Sequence, residues 1–171
     1  DKAESRGLGD VYKRQITLLL SSCDTNNPDK TIGFVTGDNA ELQWHLGTQE
    51  AIDIVTTVDE LWTNQDYEAM RSFFADSVKV WRPNGNYTDT FDSFIESLND
   101  GSNVTWSYNY AFSVDLNPEI GGEHVQAGFS ITYPATEDSE ERVDYQHESY
   151  YILDGKIITL NQYSIRNVQQ D

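Results

Sequence analysis

Near residue 105 the hydrophobic repeat changes from the period of a helix to that of a strand. This change restricts the fold more than anything else in the chain. Beyond it Trp106, Tyr108, Tyr110, Phe112 and Val114 alternate with other residues, as one face of a long strand does. Val125, Ala127, Phe129, Ile131 and Tyr133 repeat the alternation in a second strand. Residues 142–153 read as a third, "DGK" at 154–156 as a tight hairpin, and residues 157–166 as the returning strand.

Upstream the spacing is helical. Thr48 can cap a helix in which Ala51, Val55, Val58 and Trp62 recur on one side, joined by Ile54 and Leu61. "TNQD" interrupts the pattern, and Asp66 can cap a short second helix with Met70, Phe73 and Phe74. In "SVKVWRPNG" Val78 and Val80 alternate with Lys79 and Trp81, and Pro83 and Gly85 end the strand. A third helix fits residues 90–99, with Phe91, Phe94, Ile95 and Leu98 in one stripe. Helices followed by a run of strands predict an α+β fold, with three N-terminal helices covering one face of a curved antiparallel sheet.

The chain has 171 residues, enough for one domain with a core, and 12% aromatic residues, too many for a disordered chain. Its net charge of −18, from 29 acids against 11 Lys and Arg, repels phosphate backbones and excludes a nucleic-acid partner. One cysteine makes no internal disulfide. His45, His124 and His147 lack ligand spacing, so neither a metal nor another cofactor is expected; His45 and His124 read as surface or rim groups.

The first 46 residues read differently. "SRGLGDVYKRQ" resembles translated adaptor sequence, and the single methionine is Met70, so residues 1–15 are set apart as non-native. "ITLLLSSC" at 16–23 resembles the end of a bacterial lipoprotein signal: an apolar run, two small residues, then Cys23. That likeness implies a lipid on the Cys23 thiol and a membrane-anchored protein of the cell envelope, periplasmic or at the cell surface. Residues 24–46 follow as a polar tether and irregular lead-in, with Phe34, Val35, Trp44 and Leu46 able to pack on the domain.

"LWTNQDYEAMRSFFADSVKVWRPNG" at 61–85 resembles the nuclear transport factor 2-like (NTF2-like) superfamily, especially its SnoaL-like branch. The matching pattern is a helix, N-x-x-D, a short helix, F-A-D-x-V and a strand ending in Pro and Gly. "YYILDGKII" at 150–158 is similar to the family's late hairpin. The likeness covers about residues 47–166 within a domain drawn at 47–168. It implies a cone with a pocket between sheet and helices. Ketosteroid isomerases, polyketide cyclases, dehydratases and epoxide hydrolases share that fold, so it does not fix the function.

Isomerase-like members use a tyrosine, a base and a neutral acid. The resemblance puts the tyrosine position at Val58 and the base position at Arg82, which stays protonated, so that mechanism is excluded. The third position falls at His147 or Glu148. Val143, Tyr145, His147, Ser149 and Tyr151 form the more apolar set of that strand; if they face the helices, His147 enters the pocket. There it can move a proton, with Arg82 binding a carboxylate or enolate and Tyr150 or Tyr151 polarising the substrate. The competing readings are a histidine satisfied by a neighbouring hydroxyl or carboxylate, and an arginine in an ordinary salt bridge. Val58, Trp62, Trp81, Trp106, Tyr108, Tyr110, Phe129, Tyr145, Glu148, Tyr150 and Tyr151 are the expected pocket residues, while Asp59 and Glu60 read as solvated. The leading expectation is a domain binding a small hydrophobic or polar-headed molecule in an apolar pocket. The alternatives are a pocket enzyme (hydrolase, dehydratase or isomerase) using His147, and a structural domain that dimerises through the open sheet face.

Overall fold

The structure, a computed structural model, describes residues 31–98 and 103–166. The readings made for residues 1–30, including the lipoprotein signal and Cys23, lie outside the described residues.

Three side chains start three helices. Thr48 accepts from the Ala51 N–H and opens α1 (Gln49–Thr63); Asp66 accepts from Ala69 and opens α2 (Tyr67–Arg71); Thr90 accepts from Ser93 and opens α3 (Phe91–Glu96). Each cap satisfies an amide that has no partner within the helix. Ala51, Val55 and Val58 form the buried stripe of α1. No described helix is long and apolar enough to cross a membrane.

The strands are β1 (His45–Leu46), β2 (Phe74–Trp81), β3 (Tyr87–Thr88), β4 (Thr105–Asp115), β5 (Glu123–Tyr133), β6 (Arg142–Leu153) and β7 (Lys156–Ile165). They form one mixed sheet in the order β1–β4–β5–β6–β7–β2–β3. The long strands β4 to β7 are a meander; the last hairpin turns at Asp154 and Gly155, both with positive φ, as a tight two-residue turn requires. One expectation changes here: the sheet is not wholly antiparallel, because β2 runs parallel to β7. Parallel neighbours need a long crossover, and everything from β3 to β6 supplies it. The second helix is also shorter than its apolar spacing suggested, for Phe74 already belongs to β2.

The core lies between the helices and one face of the sheet. Met70, Phe74, Phe91 and Phe94 pack there with Val125, Ala127, Tyr150 and Leu160. Phe74 lies 5.2 Å from Phe91, and Trp62 meets Phe94 edge-on at 5.3 Å. In the lead-in Trp44 packs edge-on against His124 at 5.2 Å, but Phe34 and Leu46 stay 80% and 76% exposed and do not pack as expected.

A bulge alters the β4 stripe. Tyr108 pairs with Phe129 and Tyr110 with the next residue back, Gly128, so Asn109 has no partner. An unpaired residue reverses the sidedness of all that follows. Trp106 and Tyr108 point to the helices, whereas Tyr110 and Phe112 turn outward, 49% and 50% exposed. The expected single face of five residues is two half-faces.

Candidate functional site

A cavity of about 410 Å³ lies between the helices and the covered face of the sheet. The sheet contributes Trp106 from β4, Phe129, Ile131 and Tyr133 from β5, Gln146, Glu148 and Tyr150 from β6, and Gln162 from β7. From the helical side come Asp59, Trp62 and Thr63 of α1, then Gln65 and Tyr67. Arg82, just past β2, and Leu98 and Val104 complete the wall.

Glu148 is the centre of its polar part. Gln146 and Gln162 each donate a side-chain N–H to Oε1 at 2.6 Å, and the Tyr150 hydroxyl donates to Oε2. Residues 146, 148 and 150 meet because alternate positions of one strand share a face. Burial pushes the Glu148 carboxyl above its ordinary range; the bonds from Tyr150, Gln162 and Gln146 oppose this, and the charge of Asp59 adds to it. Burial likewise holds the Tyr150 phenol well above its usual value, helped by Glu148. Nearer the rim, Trp106 Nε1 donates to Asp59 Oδ1 at 2.8 Å. Burial raises Asp59, the Trp106 bond lowers it, and Glu60 raises it further.

Arg82 is the cation of this cavity. Nη1 donates to the Ser97 carbonyl at 3.1 Å and to Ser97 Oγ at 3.4 Å, while the buried Nε has no acceptor. Burial lowers its pKa, and Glu148 and Tyr133 pull it back up. Among the described residues, no three or more His, Cys, Asp or Glu side chains are grouped to hold a metal ion.

Six of the sequence candidates line this cavity: Trp62, Arg82, Trp106, Phe129, Glu148 and Tyr150. The others lie elsewhere. Val58 is sealed in the core, and Tyr108 packs on Phe129 at 4.9 Å, beside the cavity. Trp81 is 42% exposed and lies against Tyr87. Tyr110 faces outward because of the bulge. On β6 the expected sidedness is reversed: Tyr145, His147 and Tyr151 lie on the open face, alternating with Gln146, Glu148 and Tyr150. His147 therefore does not enter the cavity. Its Nε2 meets Gln126 Oε1 at 2.8 Å and its Nδ1 meets the Tyr110 hydroxyl at 3.2 Å, both open-face partners. The sidedness had been chosen by apolarity, and a cavity lined with amides and a carboxyl inverts that rule.

The pocket is also more polar than expected. Asp59, Tyr67, Gln146 and Gln162 were missed as lining residues, and Asp59 is not simply solvated. One signal was available: Gln146, Glu148 and Tyr150 are hydrogen-bonding residues at strand spacing.

No family model matches the chain, and no curated protein matches it in sequence. Solved structures do match in shape. The S. rosetta CaMKII hub has a TM-score of 0.57 at 10% identity, covering 68% of this chain and 95% of that one. An NTF2-like protein of unknown function from Burkholderia xenovorans LB400 has a TM-score of 0.54 at 12% identity, covering 72% and 88%. An LEH-like epoxide hydrolase from M. tuberculosis has a TM-score of 0.52 at 11% identity, covering 69% and 84%. At such identities the likeness is one of architecture, and with the mixed sheet and its helical cover it shows that this chain has the NTF2-like fold.

Proposed function

We propose that this domain binds a small organic molecule, with an apolar body and a polar head, in the cavity between sheet and helices. The observation that carries this reading is the lining. Aromatic rings (Trp62, Trp106, Phe129) and hydrogen-bonding groups (Arg82, Gln146, Glu148) border one hollow of about 410 Å³. Ligand sites combine apolar walls with a few placed polar groups in hollows of this size. Two indoles in the wall give a direct test. A panel of small cyclic acids, ketones and alcohols is titrated while tryptophan emission and Tm are followed. Saturable quenching with a raised Tm, weakened by Ile131→Phe, is expected. If no compound perturbs the indoles, the reading is wrong. Catalysis through His147 is not carried forward, because the imidazole lies on the other face of the sheet.

A second reading concerns that open face, which we propose as the contact between two copies of the chain. On a chain of net charge −18, the outward positions of β4 to β7 hold no Asp or Glu. They hold Tyr110, Phe112, Tyr145, Tyr163 and Ile165, each about half exposed or more. Two such acidic molecules approach at least electrostatic cost where neither carries a carboxylate. The presence of a hub domain among similar folds agrees with this. Sedimentation should show a dimer that Tyr145→Glu with Tyr163→Glu dissociates; a monomer at high concentration would refute it.

We propose finally that the domain is tethered outside the cytoplasm through Cys23, as "LLLSSC" suggests. Labelled palmitate should enter the full-length protein and not its Cys23→Ala variant.

A further inference from the structure

The two carboxyls of the cavity already have donors, and its guanidinium does not have enough acceptors. Glu148 accepts from Gln146, Tyr150 and Gln162, and Asp59 accepts from Trp106. Among the described residues the Arg82 guanidinium reaches only Ser97, through Nη1, and its Nε proton meets no acceptor. The contrast with two other arginines is direct. Arg71 is paired with Asp92, and Arg142 Nε bonds both oxygens of Asp144 at 2.9 and 3.0 Å. Both of those guanidiniums meet a carboxylate, whereas among the described residues none bonds that of Arg82.

We propose that the molecule bound in this cavity is a small monocarboxylate with a flat apolar body, its carboxylate seated on Arg82. This rests on the binding reading above and specifies its head group. A half-buried guanidinium whose Nε has no acceptor carries an unmet hydrogen-bonding demand. A carboxylate meets it best, because its two oxygens match the guanidinium fork and carry the opposite charge. An amine is the opposite choice, since it would need one of the two carboxyls. Both are already occupied by internal donors, and an ammonium near Arg82 adds like-charge repulsion. The body of the ligand meets Trp62, Trp106 and Phe129, whose faces suit a flat ring.

The test uses matched probes in which only the head changes: phenylacetate, phenylacetamide and phenethylamine, then the same trio built on a phenylpropyl body. Each is titrated at neutral pH by tryptophan emission and by calorimetry, with wild type, Arg82→Gln and Arg82→Lys. The acid should bind at least about tenfold tighter than its amide, and the amine weakest. Arg82→Gln should remove that preference, costing the acid far more than the amide, and Arg82→Lys should keep part of it. Circular dichroism checks the fold of each variant. Added chloride should weaken the acid and spare the amide in wild type, a result that needs no variant. If amides bind and acids do not, or if Arg82→Gln keeps the preference, the carboxylate proposal fails while the binding reading stands. If none of the probes perturbs the indoles, both fall together.

Discussion

The indole N–H of Trp106 and the Oδ1 of Asp59 are 2.8 Å apart, joining β4 to α1 beside the cavity. The bond gives a partly buried carboxylate its side-chain donor. Trp106→Phe keeps a ring and removes the donor, which should cost about 1–2 kcal/mol at neutral pH. Part of that loss will depend on pH. Burial, the larger influence, already raises Asp59, and losing the Trp106 bond raises it further. A carboxyl raised in the folded state binds more protons folded than unfolded, so stability falls as pH climbs from the ordinary carboxyl value through the raised one. The deficit of Trp106→Phe should therefore be larger at neutral pH than in mild acid, as urea melts at the two pH values will show.

Glu148→Gln should stabilise the protein at neutral pH. The carboxyl is raised chiefly by burial, so the wild type loses stability as pH rises through the window between its unfolded and folded values. The amide removes this loss and stays within reach of Tyr150. A gain in Tm of a few degrees, at about 2–4 °C per kcal/mol, is expected at neutral pH and should vanish in acid. A Tm that drops at neutral pH and recovers in acid would mean that the ionised form supports the fold.

Glu123 has the opposite sign. Burial lifts its carboxyl, but the Thr48 backbone N–H, the Ser113 hydroxyl and the Thr48 hydroxyl, at 2.5, 2.7 and 2.7 Å, outweigh it and hold the group below its usual range. Its contribution is present above the unfolded value and lost as pH falls through the depressed folded one. Glu123→Gln should cost about 1 kcal/mol at neutral pH, discounted for partial exposure, and nothing in acid. Thermal melts across that range are the measurement.

Gly128 lies directly beneath Tyr110. A Cβ there would come 2.2 Å from Cε1 of that ring, so Gly128→Ala must swing the ring aside and break its bond to His147 Nδ1. The ring is half exposed and free to move, so the cost should stay near 1 kcal/mol. The imidazole resonances of His147 should shift, and ligand binding in the cavity should not change.

The parts of this fold legible in the sequence were the local ones. The caps at Thr48 and Asp66, the apolar spacing of α1, and the turn at Asp154 and Gly155 each depend on residues a few places apart. The pairing of β2 with β7 joins residues 80 to 83 positions apart, such as Val80 with Leu160 and Phe74 with Ile157, and no local pattern encodes it. Asn109 was hidden because tyrosine suits both a covered and an open face, so "WSYNYAF" looks like unbroken alternation. On β6 the rule that apolar residues turn inward failed, since the hollow at that point is lined with Gln146 and Glu148. Arg82 was found as a candidate, but its missing acceptor is a fact of three-dimensional neighbours.

Asn109 marks the place where β4 exchanges its inner face for its outer one. Upstream of it the even-numbered rings of β4 look towards the helices; downstream the even-numbered rings look away. Deleting that residue would make Tyr108 and Tyr110 chain neighbours, and ordinary alternation would then hold each ring on the side it already occupies. Drawing Asn109 into the ladder instead would turn one end over: either the indole at 106 leaves the hollow, or Tyr110 and Phe112 crowd beneath the helices and strip the open side of two of its aromatic rings.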